Sequence, residues 1–309
     1  MNFREILKIN LLKTRFVVFA YILIMFVVGI LVDIVLFNPI PHSLVESFIY
    51  FATFERMPIA TIVILCIVAV GIVIISKFGS KIMLSGSKYE NLSKKETLTG
   101  LERTVANMVE EMAISANLGY IPQTYIMKTD MVNAFAAGWN KNNALVCVTD
   151  GIINTLTRNE LQAVVAHEIG HILHGDSKLT LYVGILSNII LTIVNIFSFF
   201  IPHRSNNASS KARLILLLLN FILPLITSVL YFFLSRTREY MADAVAVKLV
   251  GDNQAMINAL KKISGQYKED SSLKGSLGEK YRSAAYIFQN GDSLFSTHPS
   301  IQNRIEKLS

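Results

Sequence analysis

His167-Glu168-Ile169-Gly170-His171 places two imidazoles one helical turn apart, with a carboxylate beside the first. Residues at i and i+4 are neighbours on a helix surface, so both rings can reach one metal ion while Glu168 sits near a water on that ion. The flanks supply the helix that this spacing needs. Thr157-Arg158-Asn159-Glu160 reads as a capping box at its start, and Gly175 closes it. Leu161, Val164, Val165 and Ile169 give the same helix an apolar face for a core.

A catalytic zinc takes three protein ligands and keeps a fourth position for water, so the chain must offer one more. Two residues compete for that place. His174 lies three residues beyond His171 on roughly the same face, yet one straight helix rarely wraps three ligands around a tetrahedral ion. The metzincin spacing also fails, since it needs Gly at 174 and His at 177, where the chain has His174 and Ser177. His174 therefore fits a supporting or surface place better. Glu239, in Ser235-Arg236-Thr237-Arg238-Glu239-Tyr240-Met241-Ala242-Asp243, is the better candidate. A second helix carrying it puts Asp243 one turn further on, where its carboxylate can accept the free ring N–H of a zinc histidine. The expected arrangement is that of a glutamate zincin: one Zn2+ per chain on His167, His171 and Glu239, with Glu168 as general base.

Composition points to a membrane. The chain is 52% hydrophobic and 17% charged, with its apolar residues gathered in blocks. Four blocks approach the span length of about 20 residues: 16–37, 58–75, 179–201 and 214–234. The first is too long for a signal-peptide core and has no small-residue cleavage site after it, so it reads as an anchor. In the second pair Asn188, Asn195 and Asn220 need partners, and helix–helix contacts are the plain explanation for each. His171 and Glu239 must meet at one ion, so the chain between them has to leave and return to the same side, as two spans or a re-entrant hairpin do.

Basic residues orient the first hairpin. Arg4, Lys8, Lys13 and Arg15 precede it and Lys77, Lys81, Lys88, Lys94 and Lys95 follow it, which puts both its ends in the cytoplasm. The 202–213 loop, with Arg204, Lys211 and Arg213, runs against that rule if it lies outside. The net charge of +7 is then accounted for by topology and a lipid bilayer partner, with no nucleic-acid motif in the chain. The expected fold is α+β and mainly α, in four parts. Residues 1–80 form a membrane hairpin, 81–178 the zincin core with a small β-sheet and the HExxH helix, 179–234 a second hairpin, and 235–309 a helical part carrying the third ligand.

Within the core, residues 95–118 read as an amphipathic helix, with Leu98, Leu101, Val105, Met108, Val109 and Met112 at helical spacing. Strands are expected at 123–127, 133–137 and 144–149. Asn133, Ala134, Phe135 and Ala136 offer a candidate edge strand for an extended peptide substrate, with an inner strand as the alternative. Cys66 and Cys147 read as small core residues, and His42 and His203 as loop histidines.

HEIGH, then SRTREYMAD, then Phe295-Ser296-Thr297-His298-Pro299, together with Asn133-Ala134-Phe135-Ala136-Ala137-Gly138, resemble the HtpX family of membrane-bound zinc metalloproteases over nearly the whole chain. Ser300 departs from that family's pattern, where a second proline is common. The resemblance implies His167, His171 and Glu239 as ligands and Glu168 as base. It implies His298 and Arg304 as catalytic partners of the substrate or transition state. It also implies protein or peptide substrates, cleavage of misfolded membrane proteins, and a bacterial cytoplasmic membrane. A CAAX-type processing protease shares the zinc motif but is expected to be larger. A membrane scaffold with a structural zinc would need four protein ligands.

Overall fold

The computed structural model describes residues 3–37, 43–200, 207–233, 237–265 and 299–309. It is mainly helical, with one small mixed sheet. Helices α1 (Phe3–Phe37), α2 (Leu44–Ala52) and α3 (Ile59–Ile82) come first. Strand β1 (Tyr89–Asn91), α4 (Gly100–Ser115), β2 (Gln123–Met127), β3 (Ala134–Ala137), β4 (Leu145–Thr149) and α5 (Asp150–Thr155) follow. Next are α6 (Arg158–His174), α7 (Asp176–Phe200) and α8 (Asn207–Phe233). The chain closes with α9 (Thr237–Val250), α10 (Asn253–Gly265) and α11 (Ile301–Leu308).

These elements form two units, one of Met1–Lys13, Lys77–Leu181 and Tyr231–Ser309, the other of Thr14–Ser76 and Tyr182–Leu230. Among the described residues, three helices are long and apolar enough to cross a membrane: Lys8–Phe37, Ile59–Ile82 and Asp176–Ile196. The fourth expected block falls on α8, a continuous helix with Pro224 inside it. In the second unit many exposed side chains are apolar, among them Phe19, Val63, Val70 and Phe221. Several of its polar groups turn inward and pair. Asp33 accepts the Ala60 and Thr61 amides at 2.8 Å each, capping α3 from α1, and Tyr21 meets Ser187 at 2.5 Å.

In the first unit the strand order is β1-β2-β4-β3, with β2 parallel to β4 and both outer pairings antiparallel. Val146 and Val148 of β4, Val105, Met108, Val109 and Met112 of α4, Val164, Val165 and Ile169 of α6, and Met256, Leu260 and Ile263 of α10 share one core. Two of the boundaries that differ from expectation have a plain local cause. Helix α4 starts at Gly100 because Thr99 and Glu102 form a capping box there, and Leu101, on that first turn, is 54% exposed. Strand β3 starts at Ala134, because the Asn133 side chain takes the Ala134 amide at 2.9 Å and its backbone N–H goes to Thr149 Oγ1 at 3.1 Å.

Candidate metal centre

Helix α6 is fixed at both ends. Glu160 accepts the Thr157 amide at 2.8 Å and the Lys262 ammonium at 2.7 Å, which ties the start of α6 to α10. Gly175 ends the helix at φ 72°, a conformation that favours glycine. Helix α9 then crosses α6 at Gly170, where a Cβ would stand 3.3 Å from both Ala242 Cα and Val245 Cβ. The glycine inside HEIGH therefore lets α9 approach closely enough to bring Glu239 and Asp243 to the histidines.

His167, His171 and Glu239 converge there, with His167 fully buried and Glu239 nearly so. His167 Nε2 faces His171 Nε2 at 3.1 Å, and the Glu239 oxygens stand 3.6 Å from the first and 3.7 Å from the second. Zinc–ligand distances of about 2.0–2.2 Å put the corners of a tetrahedral site about 3.3–3.6 Å apart, close to these separations. Two imidazole nitrogens and a carboxylate are also the donor set that a catalytic zinc takes. The residues fit the ion.

Each histidine is held from behind by a carboxylate. Asp243 Oδ1 lies 2.8 Å from His167 Nδ1, and Asp176 Oδ2 lies 3.3 Å from His171 Nδ1. Burial alone would lower His167, but Asp243 and Glu239 outweigh it and raise the ring to about 9, so a metal must displace a proton there. Burial also works against the charge of Asp243, yet Arg304 and His167 hold its carboxyl below the usual range. Glu168 differs from all of these. It is 1% exposed, and neither of its oxygens has a hydrogen-bond partner among the described residues. Burial raises its carboxyl against the pull of the two histidines, the direction that makes it a stronger proton acceptor.

The other expected residues fall into place around this group. His174, the competing ligand, is buried but outside the converging set, and burial lowers its ring. Arg304, expected beside the substrate, is 1% exposed and donates Nε and Nη2 to Asp243 at 2.9 and 2.6 Å. Its Nη1 lies 3.5 Å from Glu239. It sits behind His167 and Glu239, with its guanidinium already engaged. His298, with His42 and His203, lies outside the described residues. Ala134, Phe135 and Ala136 occupy the last strand in the sheet order, which packs against α6, and their side chains and that of Asn133 are buried. Sequence reading missed Asp176, whose only signal is its place directly after the Gly175 cap.

Residues 100–309 match the family described as Peptidase family M48. A "Protease HtpX homolog" of Helicobacter pylori (strain Shi470) is 44% identical over 310 residues, covering 100% of this chain and 98% of the relative. One of Helicobacter acinonychis (strain Sheeba) is 42% identical, covering 100% and 99%. A third, from Listeria monocytogenes serotype 4a (strain HCC23), is 30% identical over 98% of each chain. Among solved structures, the crystal structure of S. mikatae Ste24p aligns with TM-score 0.48 and 20% identity over 84% of this chain and 60% of that longer one. With the family matched from α4 to the C-terminus and relatives matched end to end, the chain belongs to peptidase family M48 and is a membrane metalloprotease.

Proposed function

We propose that the chain is a zinc endopeptidase of the glutamate-zincin type, with one Zn2+ on His167, His171 and Glu239 and with Glu168 as general base. The observation that carries this reading is the pairing of three converging donors with a buried, unpartnered carboxylate next in sequence to the first. Bound there, zinc would supply Lewis-acid chemistry, acidifying a water and polarising the peptide carbonyl. Glu168 takes a proton from the attacking water, whose oxygen bonds to the carbonyl carbon, and returns it to the amine as the C–N bond breaks. Asp243 and Asp176 hold the two rings so that each keeps a proton on Nδ1 and presents Nε2 to the metal. Arg304 keeps Asp243 charged and in place. The family resemblance supports His298 as a donor to the developing oxyanion.

Substrate peptides are proposed to lie along Asn133, Ala134, Phe135 and Ala136. The terminal place of β3 in the sheet order, its packing against α6 and its buried side chains support binding through backbone groups. The resemblance to the HtpX family favours misfolded or damaged membrane proteins as substrates. Bacterial relatives and the basic residues around the first hairpin favour a bacterial cytoplasmic membrane, with the catalytic unit facing the cytoplasm.

Zinc content and cleavage of an unfolded membrane-protein substrate, measured in detergent for the wild type and Glu168→Ala, test this. Both proteins should bind zinc and only the wild type should cleave. Equal cleavage by the two would remove Glu168 from the mechanism.

A further inference from the structure

We propose that Asn10, in the early turns of α1, is a positioning residue of the metal centre and acts on His171 through Asp176. The inference rests on the reading of His171 as a zinc ligand. Asn10 is 5% exposed, and its Nδ2 donates to two acceptors, the His174 carbonyl at 2.8 Å and Asp176 Oδ1 at 2.8 Å. Both amide hydrogens are thereby used. The His174 carbonyl is one of the last four of α6, which have no partner inside their own helix, and Asp176 is the first residue of α7. A single amide from residue 10 thus holds the end of the zinc helix and the start of the next.

The consequence for the metal runs through the second oxygen of the same carboxylate. Asp176 is 1% exposed, and its Oδ2 faces His171 Nδ1 at 3.3 Å. A carboxylate on Nδ1 sets both the tautomer and the rotation of a ligand ring, leaving the Nε2 lone pair for the metal. It can do so only if it cannot itself rotate. Asn10 anchors Oδ1 and so fixes Oδ2.

The other ligand ring is served by the same device. His167 Nδ1 meets Asp243 Oδ1 at 2.8 Å, and Arg304 grips that carboxylate at 2.9 and 2.6 Å. The two arms, His167-Asp243-Arg304 and His171-Asp176-Asn10, differ in the outermost group, a cation in one and a neutral amide in the other. His171 also has the longer contact and the greater exposure, 15% against 0% for the His167 side chain. Its arm depends the more on a fixed carboxylate.

The bland alternative is that Asn10 only caps α6. A zinc-affinity cycle by chelator competition on the full-length protein in detergent separates the two, using wild type, Asn10→Ala, Asp176→Ala, the double variant and His171→Ala. A near-isosteric Asn10→Asp, which keeps the volume but faces Asp176 with a like charge, covers the case in which Asn10→Ala fails to fold. Outer partners of metal ligands typically contribute about 10–100-fold in affinity, so Asn10→Ala and Asn10→Asp should each weaken zinc binding by about tenfold or more. Asn10→Ala should weaken it no further when Asp176 is already Ala. Unchanged zinc affinity with a lowered melting temperature would overturn the proposal and leave Asn10 as a cap. An equal loss in both backgrounds would overturn the route through Asp176. A wild type that binds no zinc, or His171→Ala that binds it as well as the wild type, would overturn the underlying ligand reading and the proposal with it.

Discussion

The hairpin of α1 and α3 and the metal centre each bury a carboxylate, and they hold it in opposite ways. Asp33 is 0% exposed and accepts three hydrogen bonds, from the Ala60 and Thr61 amides at 2.8 Å and from Thr61 Oγ1 at 2.7 Å. Glu168 is 1% exposed and accepts none from the described residues. Removing a charge from water is costly unless fixed donors replace the water, so the first arrangement is a structural solution and the second is one held open for another molecule. The metal centre applies both rules within a few ångströms. Asp243 and Asp176, which stand behind the two histidine rings, have fixed partners, whereas the oxygens of Glu168 have none among the described residues, as the proposed general base requires.

If that contrast is correct, removing a fixed partner should damage the structure. Arg304→Ala strips Asp243 of its guanidinium partner and should destabilise the first unit by about 3–5 kcal/mol, as for other broken buried pairs. Chemical denaturation in detergent would read this, and zinc affinity should fall with it. Asp33→Ala leaves two amides of α3 uncapped and should cost about 1–3 kcal/mol, with zinc content unchanged. A loss of zinc in that variant would erase the distinction between the two carboxylates. Gly170→Val pushes a branched side chain against Ala242 and Val245 and should cost about 1–3 kcal/mol, with weaker zinc binding as α9 is displaced. Retained affinity would show that α9 need not approach so closely.

The smallest effect belongs to the surface of the first unit. Lys95 hydrogen-bonds Glu102 at 2.7 Å and, with the Thr99 amide, holds that carboxyl at about 2. A carboxyl lowered on folding adds stability above its ordinary value of 4.5, and that stability is lost as pH falls towards about 2. Lys95→Met should therefore lower stability slightly at neutral pH, and the difference from the wild type should close as pH falls towards about 2. Denaturant unfolding followed by circular dichroism across pH would detect this.

The sequence was most legible where the relevant contacts are local. The α6 capping box and the Gly175 stop lie within the helix they bound, and the i, i+4 spacing of His167 and His171 follows from that helix alone. The same spacing argument, applied to Glu239 and Asp243, matches where α9 carries them. The α4 start was legible too, in Thr99 and Glu102, but the apolar run beginning at Leu98 masked it. Contacts between distant segments left no such trace. Asn10 meets Asp176 across 166 residues, and an isolated amide among apolar neighbours has no pattern to read. Arg304 was visible only by resemblance, which suggested a partner for substrate and not the buried clamp on Asp243. The glycine of HEIGH explains itself only once Ala242 is seen against it.

The central claim is that Glu168 is buried without partners because catalysis needs it so. The most direct test is the cleavage rate of Glu168→Gln, set against its melting temperature and zinc content. A carboxamide keeps the shape and removes the base, so cleavage should fall by about 10²–10⁴-fold. Zinc should be retained, and the melting temperature should equal or exceed that of the wild type because a costly buried charge has gone. Wild-type cleavage, or a loss of stability like that of Asp33→Ala, would place Glu168 with the structural carboxylates and contradict the account.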